Sequence, residues 1–457
     1  MKLHNTLTQI KQEFTPLKSG KVSMYVCGPT VYDRPHIGNA RSVVVYDTLY
    51  RLLSHIYGME NITYVRNITD VDDKINARAI ELNISIQELT SRTYVEFQED
   101  MSYLNCLSPT YEPKATEHIE DIIRINKKLI ESGNAYIADG HVYFDVTSAQ
   151  DYGCLSGRNL DEMIAGARIE VSKHKKHPGD FVLWKPASLR DDISSVFESP
   201  WGLGRPGWHI ECSAMSHHFL GTDFDIHGGG SDIIFPHHTN EIAQSLCAFP
   251  GSKFARYWIH NGLLTVSGDK MSKSLGNFLT VYDLAQKSVK GEVIRYLLLS
   301  THYRKPLDFN DKAIYDAKES LDYLYRALEH HSGKADRNDI PCEFLSYLED
   351  DLNTAGALSV MHEIAKQINK VSELSKKSVL AHQLRACGNL IGLLLDSNWF
   401  RYEGLLDASY IDELILKRID AKKSRQFGVA DSIRSELIAL GIEIEDRPDG
   451  TSIWRKK

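Results

Sequence analysis

Residues 270–274 have the chemistry to bind a polyphosphate. They read Lys-Met-Ser-Lys-Ser and lie between Gly268 and Gly276, so that Lys270 and Lys273 stand in a flexible frame. Two ammonium groups on such a segment can close over a polyphosphate and neutralise the charge that builds up during a reaction. Taken alone, the pentapeptide fits a basic surface turn equally well.

A second segment with phosphate-binding chemistry lies upstream, between a strand pattern and a helix pattern. Residues 35–39 read Pro-His-Ile-Gly-Asn. His36 and Asn39 are predicted at the N-terminus of the helix, where backbone N–H groups and the helix dipole favour anions. Both side chains can donate hydrogen bonds to a phosphate. Each segment alone is compatible with a capping or surface role, but the pair predicts a clamp on ATP.

Sulfur, nitrogen and oxygen ligands offer a metal site. His237 and Glu241 are spaced i, i+4, so both point to one side of a predicted helix. Cys27 and Cys212 are distant in the sequence, and buried free cysteines are common, so spacing leaves a structural role open for them. Three neighbouring histidines compete as ligands: His217, His218 and His238.

The elements that must position these groups have an α/β pattern. Residues 22–26 predict a strand, a helix follows from about Gly38 to Gly58, and residues 62–66 predict a second strand. A strand, helix and strand in about 45 residues form a βαβ unit and predict a parallel sheet. The sheet resumes at 224–227, and the glycine triplet at 228–230 is expected to let a ligand approach the backbone closely.

The rest of the chain divides by pattern. Residues 115–200 begin with a helix and a hairpin at Asp139–Gly140 and then become irregular, which predicts an insertion into the sheet domain. From about 315 to 400 the pattern is helical. From about 410 it indicates two helices and a terminal hairpin with its turn at 447–450.

Composition limits the class of protein. A chain of 457 residues with 42% hydrophobic and 25% charged residues indicates a soluble protein of several domains. No run approaches the roughly 18 apolar residues of a membrane span, and the N-terminus has no apolar signal core. The net charge of −8 argues against a protein that coats nucleic acid, although a local basic face remains possible. An odd cysteine count without CxxC predicts a reducing cytoplasm: Cys27, Cys106, Cys154, Cys212, Cys247, Cys342 and Cys387.

Several stretches resemble a known family. Residues 35–39 are similar to the HIGH signature of class I aminoacyl-tRNA synthetases, and residues 270–274 match their KMSKS loop. Four longer stretches resemble the cysteinyl-tRNA synthetases, and the resemblance runs from the N-terminus to Trp454. They are YVCGPTVYD at 25–33, NITDVDDK at 67–74, GWHIECSAM at 207–215 and HGGGSD at 227–232.

The resemblance implies a fold and a domain order. It implies an α/β protein with a Rossmann-type parallel-sheet catalytic domain, an inserted domain, a helical bundle and a small α+β anticodon-binding unit. The expected boundaries are 1–114 and 201–250 for the two catalytic halves, 115–200 for the insertion, 251–314 for the KMSKS-bearing junction, 315–404 for the tRNA-binding bundle and 405–457 for the C-terminal unit.

The resemblance also implies an activity with named substrates. We expect activation of L-cysteine by ATP with Mg²⁺, then transfer of cysteine to its tRNA. One Zn²⁺ per chain falls on Cys27, Cys212, His237 and Glu241, with His238 beside the ligands, and would bind the substrate thiol directly. No separate editing domain is expected. The residues implied for ATP are Thr30, His36, Asn39, Lys270 and Lys273.

The amino-acid pocket is expected beside these groups. Asp232 and Thr69 could hold the ammonium and carboxylate ends of cysteine. Trp208 could form a wall of the pocket or pack in the core. Asp70, Asp72 and Asp73 could suggest a Mg²⁺ site, but starting a helix is the favoured interpretation.

Two features leave alternatives open. Asn39 stands where the signature has its second histidine, and it keeps a hydrogen-bond donor but cannot become cationic. Four protein ligands describe a closed zinc site, whereas catalytic zinc keeps a position open. Either the metal becomes five-coordinate or one ligand, such as Glu241, loosens.

A tRNA-binding surface is predicted near the C-terminus. If 411–426 is helical, Arg418, Lys422 and Arg425 share a face, and Trp454 adds a ring beside further cations. The alternative is a solvated basic helix and a core tryptophan. We expect a monomeric cytoplasmic enzyme. Two other functions remain open: a ligase that delivers cysteine to a small amine, and a catalytically silent RNA-binding paralogue.

Overall fold

The structure is a computed structural model. It describes residues 1–157, 173–188, 191–271, 277–331, 333, 335–400, 408–446 and 452–456. The chain forms two compact units, Met1–Leu393 and Leu394–Lys457. None of the helices in the described ranges is long and apolar enough to cross a membrane.

The described elements follow the α/β order that the sequence predicts. The strands are β1 Lys2–Asn5, β2 Ile10–Glu13, β3 Val22–Val26, β4 Ile62–Arg66, β5 Ala135–Ala138, β6 His141–Phe144, β7 Phe181–Pro186, β8 Gly204–Pro206, β9 Asp223–Gly230, β10 Phe254–Asn261, β11 Leu264–Val266, β12 Asp269–Lys270, β13 Leu307–Phe309, β14 Ile442–Asp446 and β15 Ser452–Lys456. The α-helices are α1 Ile37–Tyr57, α2 Asp73–Leu82, α3 Ile86–Tyr103, α4 Ile119–Glu131, α5 Trp208–Leu220, α6 Thr239–Ala248, α7 Val281–Gln286, α8 Gly291–Leu299, α9 Asp311–Leu328, α10 Cys342–Glu349, α11 Thr354–Lys370, α12 Leu374–Leu390, α13 Ala408–Lys423 and α14 Phe427–Ala439.

A parallel sheet of four strands lies at the centre of the first unit. Its order is β10–β9–β3–β4, and every neighbouring pair is parallel. The predicted βαβ unit is confirmed, because β3, α1 and β4 match the predicted bounds. The chain leaves β3 toward one side and returns with β9 on the other, so a topological switch point lies between β3 and β9. Ligands of such sheets bind at the carboxyl ends of the strands beside that point.

The helix α1 is long, and most of its residues between Ile37 and Leu53 are buried. Its first turn is capped by His36, and the chain ends it at Gly58, where φ is +88°. Tyr46 reaches from its middle to the sheet, where its hydroxyl donates to the carbonyl of Ile259 at 2.6 Å and accepts from the N–H of Gly229 at 2.6 Å. Thus α1 is fixed to the strands whose ends form the site.

The glycine triplet lies inside β9 rather than after it. A Cβ on Gly228 would stand 2.3 Å from Cε1 of Tyr46, and one on Gly229 would stand 2.6 Å from Cδ1 of Ile233. Protein atoms therefore occupy the space beside these two glycines. Gly228 is therefore required by the packing of Tyr46 on α1, and Gly229 by that of Ile233 and His238. Approach of a ligand to the backbone at this triplet stays a prediction.

The inserted region contains a small antiparallel sheet, ordered β5–β6–β7–β8. Its first hairpin turns at Asp139 and Gly140, as predicted, with φ values of 49° and 74° that suit a tight two-residue turn. The prediction of an irregular stretch up to Pro200 is wrong at β7, which pairs with both β6 and β8. Its residues Leu183 and Trp184 are both buried, so the alternation typical of a half-exposed strand is absent.

Helices dominate the second half of the chain, as predicted. The helices α9 to α12 occupy most of residues 311–390. In the second unit, α13 and α14 pack on an antiparallel hairpin of β14 and β15. Its core contains Ile411, Leu414, Ile415, Leu437 and Ile442, with Trp454 packed against them. The predicted turn at 447–450 lies outside the described residues.

Candidate active site

Four of the predicted ligand residues meet at the carboxyl end of the parallel sheet. Cys27 follows β3, Cys212 lies on α5, His237 precedes α6 and Glu241 lies in the first turn of α6. One ligand atom from each lies within 4.8 Å of the others. The Cys27 and Cys212 sulfurs are 3.7 Å apart, and Glu241 Oε1 lies 3.5 Å from the Cys27 sulfur and 3.1 Å from His237 Nε2. We call this group the Cys2HisGlu cluster.

Burial controls the charges of the cluster. It raises the pKa of the Cys27 thiol well above its ordinary value, with further increases from Cys212 and the Glu241 carboxylate. It also raises the pKa of Cys212 and lowers that of His237 well below its ordinary range. Without a cation, both thiols and the imidazole are therefore neutral at neutral pH. All seven cysteines are free thiols.

A chain of buried side chains continues from Cys27 away from the cluster. The Cys27 sulfur lies 3.3 Å from His238 Nε2, and the other ring nitrogen of His238 lies 2.7 Å from His260 Nε2. His260 Nδ1 in turn contacts the hydroxyl of Thr6 at 2.8 Å. On the opposite side, His227 Nε2 approaches Glu241 Oε2 at 2.8 Å. These contacts fix the rings behind the cluster, and His238 contacts a predicted ligand, as expected of a supporting residue.

The cluster is bordered by aromatic rings of α5. The ring of Trp208 lies 4.2 Å from that of His237, centroid to centroid, and His209 Nδ1 lies 2.9 Å from His237 Nδ1. Trp208 is 40% exposed and lines a cleft together with His209 and Glu211, so it is not a residue of the core. The competing histidines lie elsewhere, since His217 stacks on Phe249 and His218 contacts Asp121.

The first turn of α1 carries the predicted phosphate-binding side chains. Nδ1 of His36 accepts the N–H of Asn39 at 3.2 Å, and Oδ1 of Asn39 accepts the N–H of His36 at 3.2 Å. Burial lowers the pKa of His36, and the charge of Asp232 opposes that shift only in part. His36 is therefore neutral with its proton on Nε2, because Nδ1 acts as an acceptor. Nε2–H of His36 and the amide N–H groups of Asn39 remain as donors.

A buried carboxyl group on α5, that of Glu211, meets the loop after β4, and the sequence interpretation missed it. The Thr69 hydroxyl donates to Glu211 Oε2 at 3.1 Å, and both residues are 1% exposed. Burial raises the pKa of Glu211 well above its ordinary value, and the charges of Asp72 and Asp70 add to the shift. The Thr69 hydroxyl is thus already committed as a donor. The signal for Glu211 was its place beside Cys212 in residues 207–215.

The three aspartates after Thr69 have structural roles. Asp72 caps α2 by accepting the N–H of Lys74 at 2.7 Å, which confirms the helix-start interpretation. Asp70 accepts from the hydroxyl and N–H of Thr116. Asp73 pairs with Lys185 at 2.8 Å and with Arg205, two residues of the inserted sheet.

The remaining predicted ATP and cysteine contacts are placed around this site. Thr30 bridges to Thr69 through the backbone, and Asp232 lies on the turn after β9, where its charge acts on His36. Lys270 ends β12, and its side chain is not described. Lys273 lies outside the described residues. The roles predicted for these four residues stay predictions.

Comparison with known proteins identifies the family. A family model described as the tRNA synthetases class I (C) catalytic domain matches residues 13–319, and a DALR domain matches residues 343–396. The cysteine–tRNA ligase of Rickettsia bellii is 57% identical over 458 residues, covering 100% of this chain and 99% of its own. That of Rickettsia prowazekii is 55% identical and covers 100% of both.

The chain belongs to the cysteine–tRNA ligase family. Solved structures agree on the fold. Methionyl-tRNA synthetase of Mycobacterium tuberculosis with methionyl-adenylate matches with a TM-score of 0.55 at 16% identity, over 81% of this chain and 89% of that one. A LeuRS–tRNA–LeuAMS complex from Agrobacterium radiobacter K84 matches with a TM-score of 0.56 at 12% identity, over 83% and 84%. The predicted class I α/β architecture is confirmed.

In this member of the cysteine–tRNA ligase family, the basic residues of the second unit differ in exposure and in pairing. Arg418 is 4% exposed and forms a bidentate ion pair with Asp446, with N–O distances of 2.7 and 3.0 Å. Lys422 pairs with the same carboxylate at 2.8 Å. The indole N–H of Trp454 donates to Asp412 at 2.6 Å. Arg425 is exposed. Arg418 and Trp454 therefore have partners inside the unit, and their predicted contacts with tRNA stay predictions.

A second group of potential metal ligands, His118, Asp121 and His218, is held together by hydrogen bonds. Nδ1 of His118 and Nδ1 of His218 both lie 2.9 Å from Oδ2 of Asp121, and Arg124 takes the other carboxylate oxygen. Each polar atom named here already has a partner, so we assign no metal to it.

Proposed function

We propose that this protein activates L-cysteine with ATP and transfers it to the 3′ end of the tRNA for cysteine. Membership of the cysteine–tRNA ligase family supports this activity. The observation that carries the proposal is the Cys2HisGlu cluster, which lies at the switch point of the sheet beside the N-terminus of α1. A thiol-recognising group and a phosphate-binding helix end thus lie at one edge of the fold.

The donor set of the cluster fits Zn²⁺. Two thiols, an imidazole and a carboxylate converge, which is the ligand chemistry that zinc prefers. The Glu241 side chain is 0% exposed, and among the described residues only histidines approach it within ion-pair distance. A buried carboxylate without a cation is costly, and a divalent ion would offset that cost. We therefore propose one zinc ion held by Cys27, Cys212, His237 and Glu241.

Bound zinc would supply a Lewis acid that favours a thiolate over an alcohol, and so would distinguish cysteine from serine. A pocket that relies on shape rejects a near-isostere by only about 10². Accurate translation needs about 10⁴, or about 5.5 kcal/mol. Trp208 would enclose the side of the amino acid next to His237. Thr69 and Asp232 would hold its ends, with Glu211 fixing the hydroxyl of Thr69.

The phosphate groups of ATP, with Mg²⁺, would be held between two sets of residues. Nε2–H of His36 and the amide of Asn39 donate from the end of α1, and Lys270 and Lys273 neutralise the opposite side, with Thr30 adding a contact. The cysteine carboxylate then attacks the α-phosphorus, a new P–O bond forms and pyrophosphate leaves. Positioning and charge stabilisation supply the rate, and no side chain is asked to form a covalent bond.

In the second step, a hydroxyl of the terminal ribose attacks the cysteinyl carbonyl and AMP leaves. We propose that Lys422, Arg425 and Trp454, with Arg418 holding the hairpin, form part of the tRNA contact. Basic side chains beside an aromatic ring suit a nucleic acid whose bases are unstacked. We further propose that the enzyme acts as a cytoplasmic monomer.

Cysteine-dependent ATP–pyrophosphate exchange, measured together with tRNA charging, tests the function. We expect exchange with cysteine, little with serine, and charging of the cysteine tRNA. Exchange without charging of tRNA would instead indicate a ligase with a small amine acceptor. Absence of exchange in folded, zinc-containing protein would indicate a silent paralogue.

Replacement of one ligand tests the role of the cluster. We expect Cys212→Ser to lower the zinc content and to raise KM for cysteine by at least about 100-fold, while KM for ATP changes by less than about threefold. Cys154→Ser is the control, because Cys154 is exposed and lies outside the cluster. Equal losses for cysteine and ATP would indicate a metal that only holds the fold.

A further inference from the structure

A buried arginine in α1 holds backbone from two other segments of the fold. Arg41 is 0% exposed and lies one turn after Ile37. Its Nη1 donates to the carbonyls of Gly262 and Leu263 at 2.8 and 2.7 Å. Its Nη2 donates to those of Lys305 at 2.6 Å and Tyr303 at 3.4 Å. In the described parts of the chain, no carboxylate lies within ion-pair distance of Arg41.

A guanidinium buried without a counter-ion is expensive, so its four carbonyl partners must compensate. Burial lowers the pKa of Arg41 to about 10, which still leaves it charged at neutral pH. Arginine suits this position because its planar fork reaches several acceptors at once, whereas a lysine ammonium is a single point charge.

The four carbonyls belong to the two connections that enter one small sheet. Gly262 and Leu263 lead into β11, and Tyr303 and Lys305 lead toward β13. The two connections also bond to each other, since the N–H of Gly262 donates to Tyr303 at 2.7 Å. In the sheet, ordered β12–β11–β13, the outer strand β12 ends at Lys270. Arg41 thus anchors the base of the sheet that contains Lys270.

The start of α1 also contacts the segment that follows residues 272–276. The N–H of Ile37 donates to the carbonyl of Leu279 at 2.8 Å, and His36 forms a backbone bridge with Thr280. The ring of His36 also meets that of Phe278 edge-on, with centroids 5.4 Å apart. Backbone on both sides of residues 272–276, at 262–263 and at 279–280, therefore bonds to residues 36–41 at the start of α1.

We propose that Arg41 is a positioning residue for cysteine activation, fixing the β11–β12–β13 sheet against the helix end that carries His36 and Asn39. The proposal rests on the proposed function, in which the two phosphate-binding sets act on one substrate. Groups from separate elements stabilise a transition state only if their separation is held to a fraction of an ångström. Arg41 supplies that constraint without touching ATP or cysteine.

The test compares Arg41→Lys with a matched control, Arg295→Lys. Arg295 is also 0% exposed and bonds the carbonyls of Ile391 and Leu104, but it lies on α8 and pairs with Asp47 in the middle of α1. Each variant removes one buried guanidinium. We expect a similar fall in thermal stability in both variants. If Arg41 has only a structural role, the two variants should therefore also lose activity to the same extent.

Cysteine-dependent pyrophosphate exchange then separates the two variants, measured at a temperature where both are folded. For Arg41→Lys we expect kcat to fall at least about 30-fold, while KM for cysteine stays within about threefold and zinc content is unchanged. For Arg295→Lys we expect kcat within about threefold of wild type. Equal kcat losses in the two variants, or an unchanged kcat for Arg41→Lys, would overturn the proposal.

Hydrogen exchange gives a readout that does not depend on activity. In Arg41→Lys, the amides of Gly262 and Leu307 should lose protection, since they donate to Tyr303 and Leu263 in the anchored connections. The hydrogen-exchange protection of the β3 amides should not change. If the wild-type protein shows no cysteine-dependent pyrophosphate exchange, the proposed function fails. The hydrogen-exchange measurement still tests whether Arg41 anchors the sheet. If Arg41→Lys does not fold, Arg41→Gln replaces it, and failure of both to fold would make Arg41 a core residue only.

Discussion

Asn39 caps the start of α1 with one side-chain atom, and its other side-chain atom is the one proposed to contact ATP. Its Oδ1 accepts the N–H of His36, which closes a reciprocal cap with the His36 ring. The amide N–H groups are then left to donate to a phosphate. The family signature has a histidine here, which also supplies an N–H donor. Because asparagine offers the same kind of donor, we expect ATP binding to be retained.

Two substitutions separate the capping role of Asn39 from its proposed role with ATP. Asn39→Asp keeps an oxygen for the His36 N–H and suits the helix dipole, but it replaces the donors with a charge that repels phosphate. We expect pyrophosphate exchange to fall about 100-fold with no loss of thermal stability. Asn39→His should leave the rate within about tenfold, or about 1.4 kcal/mol. Full activity of Asn39→Asp would limit Asn39 to capping.

Side chains that act through local spacing could be predicted, and those that act through distant contacts could not. The i, i+4 spacing of His237 and Glu241 gave part of the cluster from the residues alone, whereas Cys27 and Cys212 entered through the family resemblance. Glu211 and Arg41 were missed. Glu211 meets Thr69 from 142 residues away, and Arg41 meets Gly262 from 221 residues away, so no short pattern signals either contact.

Close contact between α1 and β9 sets the geometry at the carboxyl edge of the sheet. The Tyr46 ring fills the space beside Gly228, and its hydroxyl accepts the N–H of Gly229. The helix that carries His36 and Asn39 is thereby fixed to the strand that leads to Asp232. Glycine at 228 is required by this packing.

Gly228→Ala tests that contact. The added methyl group would stand 2.3 Å from the Tyr46 ring, so the helix or strand must shift. We expect a loss of about 1 to 3 kcal/mol in unfolding free energy. Gly428→Ala is the control, since no heavy atom lies within 4 Å of its added Cβ and it lies in helix α14. The control should be neutral or stabilising, as alanine favours a helix. Equal stability of the two variants would contradict the packing argument.

The hairpin of the second unit is held to α13 through Asp446. Arg418 and Lys422 both pair with this carboxylate and lower its pKa. A carboxyl whose folded pKa is depressed stabilises the fold above its unfolded pKa of about 3.9, and the contribution is lost as pH falls below that value. Because the Asp446 side chain is 41% exposed, solvent screens the interaction and its size is modest.

Asp446→Asn should weaken this hairpin at pH 7. We expect the opening free energy of α13 and β14 amides, measured by hydrogen exchange in the full chain, to fall by about 1 to 2 kcal/mol. The difference from wild type should shrink below about pH 4, where Asp446 of wild type becomes protonated in the open state. Glu413→Gln is the matched control, because Glu413 and Lys417 are 61% and 58% exposed. An equal effect in the control would remove Arg418 burial as the cause.

At the level of elements, the sequence pattern predicted the βαβ unit and the first hairpin of the insertion but missed a strand within the insertion. The strands β3 and β4 and the helix α1 match their predicted bounds, and the turn at Asp139–Gly140 does too. The strand β7 was missed because its pairing partners, β6 and β8, are distant in the sequence and its neighbouring residues are rich in Lys, His and Asp. The packing role of Gly228 was missed because its neighbour Tyr46 lies 182 residues away in the sequence, so only the folded structure shows the contact.

In the whole molecule, the groups proposed for activation and those proposed for tRNA contact at the C-terminus lie in different compact units. The unit Met1–Leu393 contains the groups proposed for activation: Cys27, His36, Asn39, Cys212, His237, Glu241 and Lys270. The unit Leu394–Lys457 contains those proposed for tRNA contact: Arg418, Lys422, Arg425 and Trp454. The first unit has its own sheet and core, and the second has a separate core around Ile411 and Leu437. The two steps of the reaction should therefore be separable by truncation.

A chain ending at Leu393 tests that separation. It retains every described group proposed for the adenylate step, so we expect cysteine-dependent exchange within about threefold of the full chain. Charging should show KM for tRNA raised at least about tenfold, since basic contacts to phosphates are lost. Raising salt should weaken tRNA binding by the full chain more steeply than by the truncated one, because fewer counterions are released. In the full chain, Arg425→Gln should reproduce part of the rise in KM. A truncated chain that loses exchange and charging in proportion would show that the C-terminal unit supports the catalytic fold, and the assignment of these residues to tRNA binding would fail.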